Sequence, residues 1–140
     1  MARRAAPLPR SLAQAFKAAR GQLQRELEPH GVHAGQDYLL EVLWEEDGLG
    51  VGAIAERLGI EAPTVVRTVQ RMEASGLVRR VRDPHDRRRA RVVLTDRGRA
   101  VEPAVRRALD AVTRSATRGF SAQERDTLRE LLERVRTNLR

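Results

Sequence analysis

The sequence predicts a mainly α-helical chain with one small β-hairpin. Apolar residues recur at helical spacing through most of the 140 residues. Only LVRRV (77–81) and RVVLT (91–95) alternate or cluster β-branched residues, and a turn containing Asp-Pro separates them. The length suits one domain, which we assign to residues 11–140. Residues 1–10 are rich in Pro and Arg, so we expect a flexible N-terminal arm there.

Four helices are predicted before the hairpin. The first begins at Ser11 and ends near residue 28, because Pro29 and Gly31 follow it. Its apolar face contains Leu12, Phe16, Ala19, Leu23 and Leu27. The second covers about 36–46, and the third is the short segment VGAIAERLGI (51–60). The fourth opens with Pro63 in its first turn, where proline is tolerated, and stops at Gly76.

Two long helices follow the hairpin. Thr95 is the predicted cap of the first, and Pro103 is expected to kink it. Ser121 and Glu124 have the spacing of a capping box at the start of the last helix. Its apolar stripe contains Leu128, Leu131, Leu132, Val135 and Leu139. The helices at 11–28 and 96–139 have more apolar surface than one small core can cover, so we expect them to form a homodimer.

The third and fourth helices are joined by a tight turn at 59–62, and a two-stranded ribbon comes after them. This order is typical of a winged helix-turn-helix, here about 36–95. The fourth helix is then the recognition helix, and its polar face contains Pro63, Thr64, Arg67, Thr68 and Arg71. Arg67 is the candidate for reading guanine, because a guanidinium matches the O6 and N7 acceptors of that base. The alternative is an ordinary solvated face.

The charge of the chain favours an anionic partner. The formal net charge is +8 and the sequence pI is about 11.4. Seven arginines but only two aspartates lie between Arg79 and Arg91. A solvated basic hairpin is one interpretation; contact with phosphates and a narrow minor groove is the other, because a guanidinium is always charged and weakly hydrated. We take Arg87, Arg88 and Arg89 as DNA-binding candidates.

Other functional classes lack support in the sequence. There is no cysteine, and we find no catalytic triad, Gly-rich phosphate loop or carboxylate pair, so we expect neither an enzyme nor a cofactor. His30, His33 and Asp37 straddle a predicted helix boundary, so we expect no metal site. No apolar run approaches the ~20 residues that span a bilayer, and no signal peptide is evident. The expected location is the cytoplasm.

DPHDRRRARVVLTDRGRA (83–100) resembles the wing signature of the MarR family of bacterial transcription regulators, and residues 51–80 are similar to that family's helix-turn-helix block. The resemblance implies a homodimer, usually a repressor, on a pseudo-palindromic operator in double-stranded DNA. It also implies that Arg88 enters the minor groove and that Arg87 lies near the backbone. Family members often have Ser or Thr where Glu61–Ala62 and Val66 stand here, which affects base specificity.

The same resemblance implies release from DNA by a small effector. An anionic or phenolic aromatic compound would bind where the dimer helices meet the DNA-binding part. Phe16, Tyr38 and Trp44 are the candidate apolar walls, and Arg20 or His33 the candidate anion partners. The alternative is an architectural DNA-binding protein with no ligand. A regulator would prefer its operator over random DNA by ~10³ or more, whereas an architectural protein would not.

Overall fold

The structure, a computed structural model, describes residues 4–140 and confirms a mainly helical fold with a small antiparallel wing. A 3₁₀ turn at Glu28–His30 follows the first helix. The helices are α1 Leu8–Leu27, α2 Gln36–Glu45, α3 Val51–Leu58, α4 Ala62–Ala74, α5 Asp96–Ala100, α6 Glu102–Ala116 and α7 Ala122–Asn138. The strands are β1 Leu49–Gly50, β2 Val78–Arg82 and β3 Ala90–Leu94.

Helix α1 begins earlier than predicted. Its first residue is Leu8, and Pro9 lies in the first turn. Proline is tolerated there because the N–H groups of the first turn have no acceptor within the helix. The assignment of residues 8–10 to a flexible arm was therefore wrong. Residues 1–3 of that arm lie outside the described part of the chain.

The wing is a three-stranded sheet in the order β1-β3-β2, rather than a hairpin alone. In the hairpin, Val78 pairs with Leu94 and Arg82 with Ala90, so residues 83–89 form the turn. Strand β1 adds two residues, with Leu49 opposite Val92. The sequence did not predict β1, because two residues are too few to show an alternating pattern.

The core joins α2 to the helix-turn-helix. Leu40, Ile54, Val65 and Met72 are at most 1% exposed. Helix α3 therefore packs between α2 and α4, and β2 packs against α4 in turn. This arrangement fixes the wing and α4 relative to each other.

The predicted long helix after the hairpin is two helices. Thr95 caps α5 as expected, and its Oγ1 accepts a hydrogen bond from the Gly98 amide at 3.0 Å. The chain then breaks at Val101, and Pro103 lies in the first turn of α6. The expected kink at Pro103 is thus a break two residues earlier, because proline starts a new helix more easily than it continues one.

Helix α7 has no buried residue, although the capping box predicted at its start is present. Leu131 and Leu132 are each 47% exposed, and Leu128 is 37% exposed. The apolar stripe of α7 is therefore uncovered within one copy of the chain. No helix in the described range 4–140 has the length and apolar character needed to cross a membrane.

Candidate nucleic-acid interface

Helix α4 presents a polar face to solvent. Glu61 is the N-cap residue in extended conformation, and the preceding turn contains Gly59 in the left-handed region with a φ of 64°. Val65, Val69 and Met72 are buried. The predicted recognition residues lie on the opposite face; Pro63, Thr64, Arg67 and Arg71 are exposed and Thr68 is half-buried.

The guanidinium groups of α4 are available for an external partner. Neither Arg67 nor Arg71 forms an ion pair with a carboxylate of residues 4–140. Arg67 donates only a long hydrogen bond of 3.4 Å to the Thr64 hydroxyl, and Thr68 donates to the Thr64 carbonyl at 2.9 Å. A helix face with charged donors and no internal acceptor can bind phosphate or base edges.

Two aspartates organise the turn of the wing. Asp83 accepts a hydrogen bond from the His85 amide at 2.8 Å, and Asp86 accepts one from the Arg88 amide at 3.0 Å. Both are side-chain turns that replace a backbone hydrogen bond. The Asp86 carboxylate lies 3.9 Å from the Nε atom of Arg88, too long for the bidentate bond that would fix its guanidinium. Asp86 therefore shapes the backbone, while the Arg88 side chain stays 96% exposed.

The arginines of the wing fall into two groups. Arg91 and Arg80 are paired internally, to Asp83 at 3.1 Å and to Glu73 at 2.7 Å. Others extend into solvent, and Arg79, Arg82 and Arg87 have no ion pair within residues 4–140. Arg89 is 80% exposed. At the tip, Asp86 lies 3.6 Å from Arg89, a long ion pair that leaves the guanidinium in solvent, so the wing combines a braced base with exposed charges at its tip.

Acidification is expected to release the wing turn. The pKa of Asp83 is lowered by the hydrogen bond from the His85 amide and by the side chain of Arg91. Its folded-state pKa is thus below the unfolded value, so ionised Asp83 stabilises the turn at neutral pH, and this contribution is lost as pH falls through the folded pKa. The His85 amide and Arg91 Nε resonances should both shift in an acid titration. Asp83→Asn should lack that transition, and a midpoint at or above about 3.9, the usual value for an aspartate, would contradict the expectation.

Sequence reasoning missed two residues that hold α4 and the wing in place. Asp47 accepts hydrogen bonds from the Leu94 amide at 2.9 Å and from Arg99 at 3.0 Å, which ties the end of α2 to the base of the wing. Arg97 donates to the carbonyls of Ser75, after α4, and His30. The dipeptide Asp47-Gly48 is typical of a turn. Its spacing in the sequence does not indicate that Asp47 would bind Leu94 and Arg99, which lie far along the chain.

Four of the five effector candidates lie near one another. Phe16, Arg20 and Tyr38 line a cleft of about 200 Å³ between α1, α2 and α6. The Arg20 guanidinium lies 5.9 Å from the centre of the Phe16 ring. An open groove of about 970 Å³ contains Arg20, Tyr38 and His33, and extends to Arg71 on α4.

Trp44 does not belong to this group, so its assignment as a wall of the effector site was wrong. Its Nε1 donates to the Gly98 carbonyl at 2.9 Å, and its ring lies 5.4 Å from the Arg106 guanidinium. It lines neither cleft, because the turns of α2 direct it to α5 and α6. Residues 4–140 hold no cluster of three or more potential metal ligands.

The profile of the MarR family matches residues 30–89. The chain is 43% identical over 83 residues to the HTH-type transcriptional regulator TtmR of Methylorubrum extorquens; the match covers 59% of this chain but only 43% of TtmR. It is 29% identical over 105 residues to the uncharacterized HTH-type transcriptional regulator YybA of Bacillus subtilis, covering 75% of this chain and 70% of YybA. The chain thus spans less than half the length of TtmR.

Solved structures are similar over nearly the whole chain. A mutant MarR from E. coli in complex with operator DNA has a TM-score of 0.84 at 25% identity, covering 92% of this chain and 93% of that one. A MarR transcriptional regulator from Methanosarcina mazei has a TM-score of 0.82 at 27% identity, covering 94% of each chain. The similarity extends beyond the DNA-binding unit to the outer helices.

Proposed function

We propose that this chain is a member of the MarR family, whose profile matches residues 30–89 and whose solved structures share its fold, and that it is a sequence-specific regulator of transcription that binds double-stranded DNA as a homodimer and acts as a repressor in the cytoplasm. The observation that carries the proposal is the combination of an exposed, unpaired arginine face on α4 with a braced wing whose tip arginines are exposed to solvent. The relatives it matches are transcriptional regulators by name rather than enzymes.

On DNA, α4 would occupy the major groove and the wing would reach the flanking minor groove. Arg67, in the N-terminal half of α4, would read a guanine, while Thr64, Thr68 and Arg71 would contact the edges of the groove and phosphates. Arg88 would enter the minor groove, where its charge gains most from the narrow negative potential. Pro63 would allow a close approach at the start of α4, and Arg87 and Arg89 would contact the backbone.

The dimer would form through α1, α6 and α7. Support comes from α7, which is uncovered in one copy while its leucines form a continuous stripe. A second copy is the most economical cover, because it uses the same surface twice. Two-fold symmetry would then set two α4 helices one turn of DNA apart and require a pseudo-palindromic operator.

An effector would act by changing that spacing. Phe16 and Tyr38 would provide apolar contacts in the clefts at the α1–α2 junction, and Arg20 or His33 would pair with an anionic group. Release of DNA requires that the ligand bind better to a dimer whose recognition helices are wrongly spaced. A ~100-fold release corresponds to a coupling of about 3 kcal/mol.

Replacing Arg88 with alanine tests the DNA-binding mode. The variant should bind a DNA site selected from a random pool roughly 5-fold to 150-fold more weakly per half-site (~1–3 kcal/mol). Arg118→Ala is the matched control, because Arg118 is exposed after the end of α6 and its loss removes the same charge. Binding is measured by fluorescence anisotropy at matched salt. Equal affinities of the Arg88 variant and the parent would refute the wing contact, and no preference for the selected site over random DNA would favour an architectural protein.

A further inference from the structure

Asp37 is a carboxylate buried at the junction of α1 and α2, and the DNA-binding mode does not use it. Its side chain is 1% exposed. One oxygen, Oδ1, accepts a hydrogen bond from the Gly35 amide at 2.7 Å. The other, Oδ2, is buried and has no hydrogen-bond partner among residues 4–140. An ionised carboxylate in this position has lost its hydration without full replacement, so burial penalises the charged form.

The charged groups around Asp37 come from three helices and do not neutralise it. On α1, Arg20 favours the charged form, but its Nη2 donates to the Ala34 carbonyl at 3.0 Å. On α2, Glu41 follows one turn later with the same charge, and Glu45 one turn after that. On α6, Arg106 acts on Glu41 but is hydrogen-bonded to Glu102 at 2.7 Å. Each cation nearby is thus already engaged.

Asp37 is one of several side chains that hold the loop at 31–35. Gln24 accepts from the Ala34 amide at 2.8 Å, and Gln36 accepts from the His33 amide at 3.0 Å. The Asp37 bond fixes Gly35, whose φ of 103° only glycine adopts easily. Gly35 also lines both the cleft and the groove at this junction. This loop therefore determines how α1 is joined to the helix-turn-helix.

We propose that Asp37 is a proton-sensitive lock on this loop: ionisation leaves a buried charge whose lost hydration outweighs its stronger bond to Gly35, so the packed loop is firm when the carboxyl group is protonated and weakened when it is ionised. In the dimer, a weakened lock leaves the two recognition helices less well fixed, so operator affinity falls as pH rises. This second part rests on the proposed function; the lock itself does not. The only covalent change in this switch is the gain or loss of the proton on the Asp37 carboxyl group.

The sign of the effect follows from burial. Burial raises the pKa of Asp37, and the Gly35 amide, the amide of Asp37 itself and the charge of Arg20 offset that rise only in part. A folded-state pKa above the unfolded one means that the proton stabilises the fold. This stabilisation is fully present below the unfolded pKa and is lost as pH rises through the folded pKa. Burial and the charge of Asp37 also raise the pKa of Glu41.

Asp37→Asn tests the lock, because asparagine keeps an acceptor for the Gly35 amide but does not titrate. Thermal melts from about pH 3.5, below the unfolded pKa, up to about pH 7 should show the parent losing ~2–4 °C in Tm relative to the variant. Asp110→Asn, at an exposed position of α6, is the control, and its Tm should depend on pH in the same way as that of the parent. An NMR titration of the Asp37 carboxyl ¹³C resonance in the parent should give a pKa above the usual range for aspartate. This measurement needs no variant, so it still tests the lock if Asp37→Asn fails to fold. Parallel melts, or a midpoint at or below the usual range, would overturn the lock.

DNA binding tests the regulatory part. Raising the pH should weaken binding of the parent to a selected DNA site several-fold more than binding of Asp37→Asn, beyond the change that both share. Equal pH dependence in the two chains would overturn the regulation. A parent chain that binds no DNA at any pH would instead reject the proposed function, and the melts would still decide whether the lock exists.

Discussion

Replacing Gly98 with alanine is expected to destabilise the chain by at least ~3 kcal/mol, and at 37 °C to leave much of it unfolded. A Cβ on Gly98 would lie far inside van der Waals contact with the Leu77 carbonyl oxygen and 3.2 Å from the Leu94 Cδ2. The Leu77 oxygen belongs to the backbone and accepts from the Thr95 amide at 3.1 Å, so it cannot move without breaking the base of the wing. The Gly98 carbonyl also holds Trp44.

Gly52→Ala is the matched control. Gly52 lies within α3, and a Cβ there would meet nothing within 4 Å. Gly52 lies in the first turn of α3 with a φ that alanine adopts without strain, so this variant should be as stable as the parent or more stable by up to ~1 kcal/mol. Urea denaturation followed by Trp44 fluorescence measures both variants. If Gly98→Ala were as stable as the parent, the close approach of α5 to Leu77 would be incorrect.

Replacing Leu132 with aspartate is expected to convert the proposed dimer to a monomer and to reduce operator affinity by ~100-fold or more. Leu132 is 47% exposed in one copy and lies in the apolar stripe of α7. A carboxylate in the centre of an apolar interface would be buried without a partner, which costs several kcal/mol in each of two symmetric positions. Operator affinity falls because, in a dimer, binding of one subunit to its half-site places the second subunit close to the other half-site. Separate monomers lack this gain in effective concentration.

Gln123→Asp is the control for the charge itself. Gln123 lies in the first turn of α7, on the side away from the leucine stripe, where a carboxylate is compatible with the helix dipole. Sedimentation should give a species of about 16 kDa for Leu132→Asp and of about twice that mass for the parent and for Gln123→Asp. Circular dichroism checks that the monomer is folded. A folded Leu132→Asp chain that remained dimeric would contradict an interface through α7.

Features determined by neighbouring residues were predictable. Ser121 and Glu124 form the expected reciprocal cap, with bonds of 3.1 and 2.9 Å, because both partners lie in one turn. The period of the apolar residues likewise located the buried face of α4, since that face depends on helix geometry and needs no distant information. The polar recognition face follows as its complement. The DNA-binding candidates were therefore located by the same pattern that located the core, although their contacts with DNA stay a prediction.

Features that depend on distant partners were not predictable. Strand β1 exists only because β3 is beside it, and Trp44 is separated from Tyr38 by the direction in which α2 packs on α5 and α6. Composition shows only that Asp83 and Asp86 are two acids in a basic wing, whereas the structure shows that their side chains form the turn. The spacing of residues indicates which side chains share one face of a helix or strand. It does not indicate which distant elements pack against that face.

By itself, the sequence determined the order of the helices, the wing, the caps and the concentration of arginine at the wing tip, because each of these is a matter of local periodicity, turn chemistry or composition. Only the tertiary structure decided that Asp37 loses its solvent with one oxygen unpaired and that Gly98 passes against the Leu77 carbonyl. Both depend on how closely segments far apart in the chain approach each other. That distance is set by the packing of the whole core, which no single stretch of sequence contains.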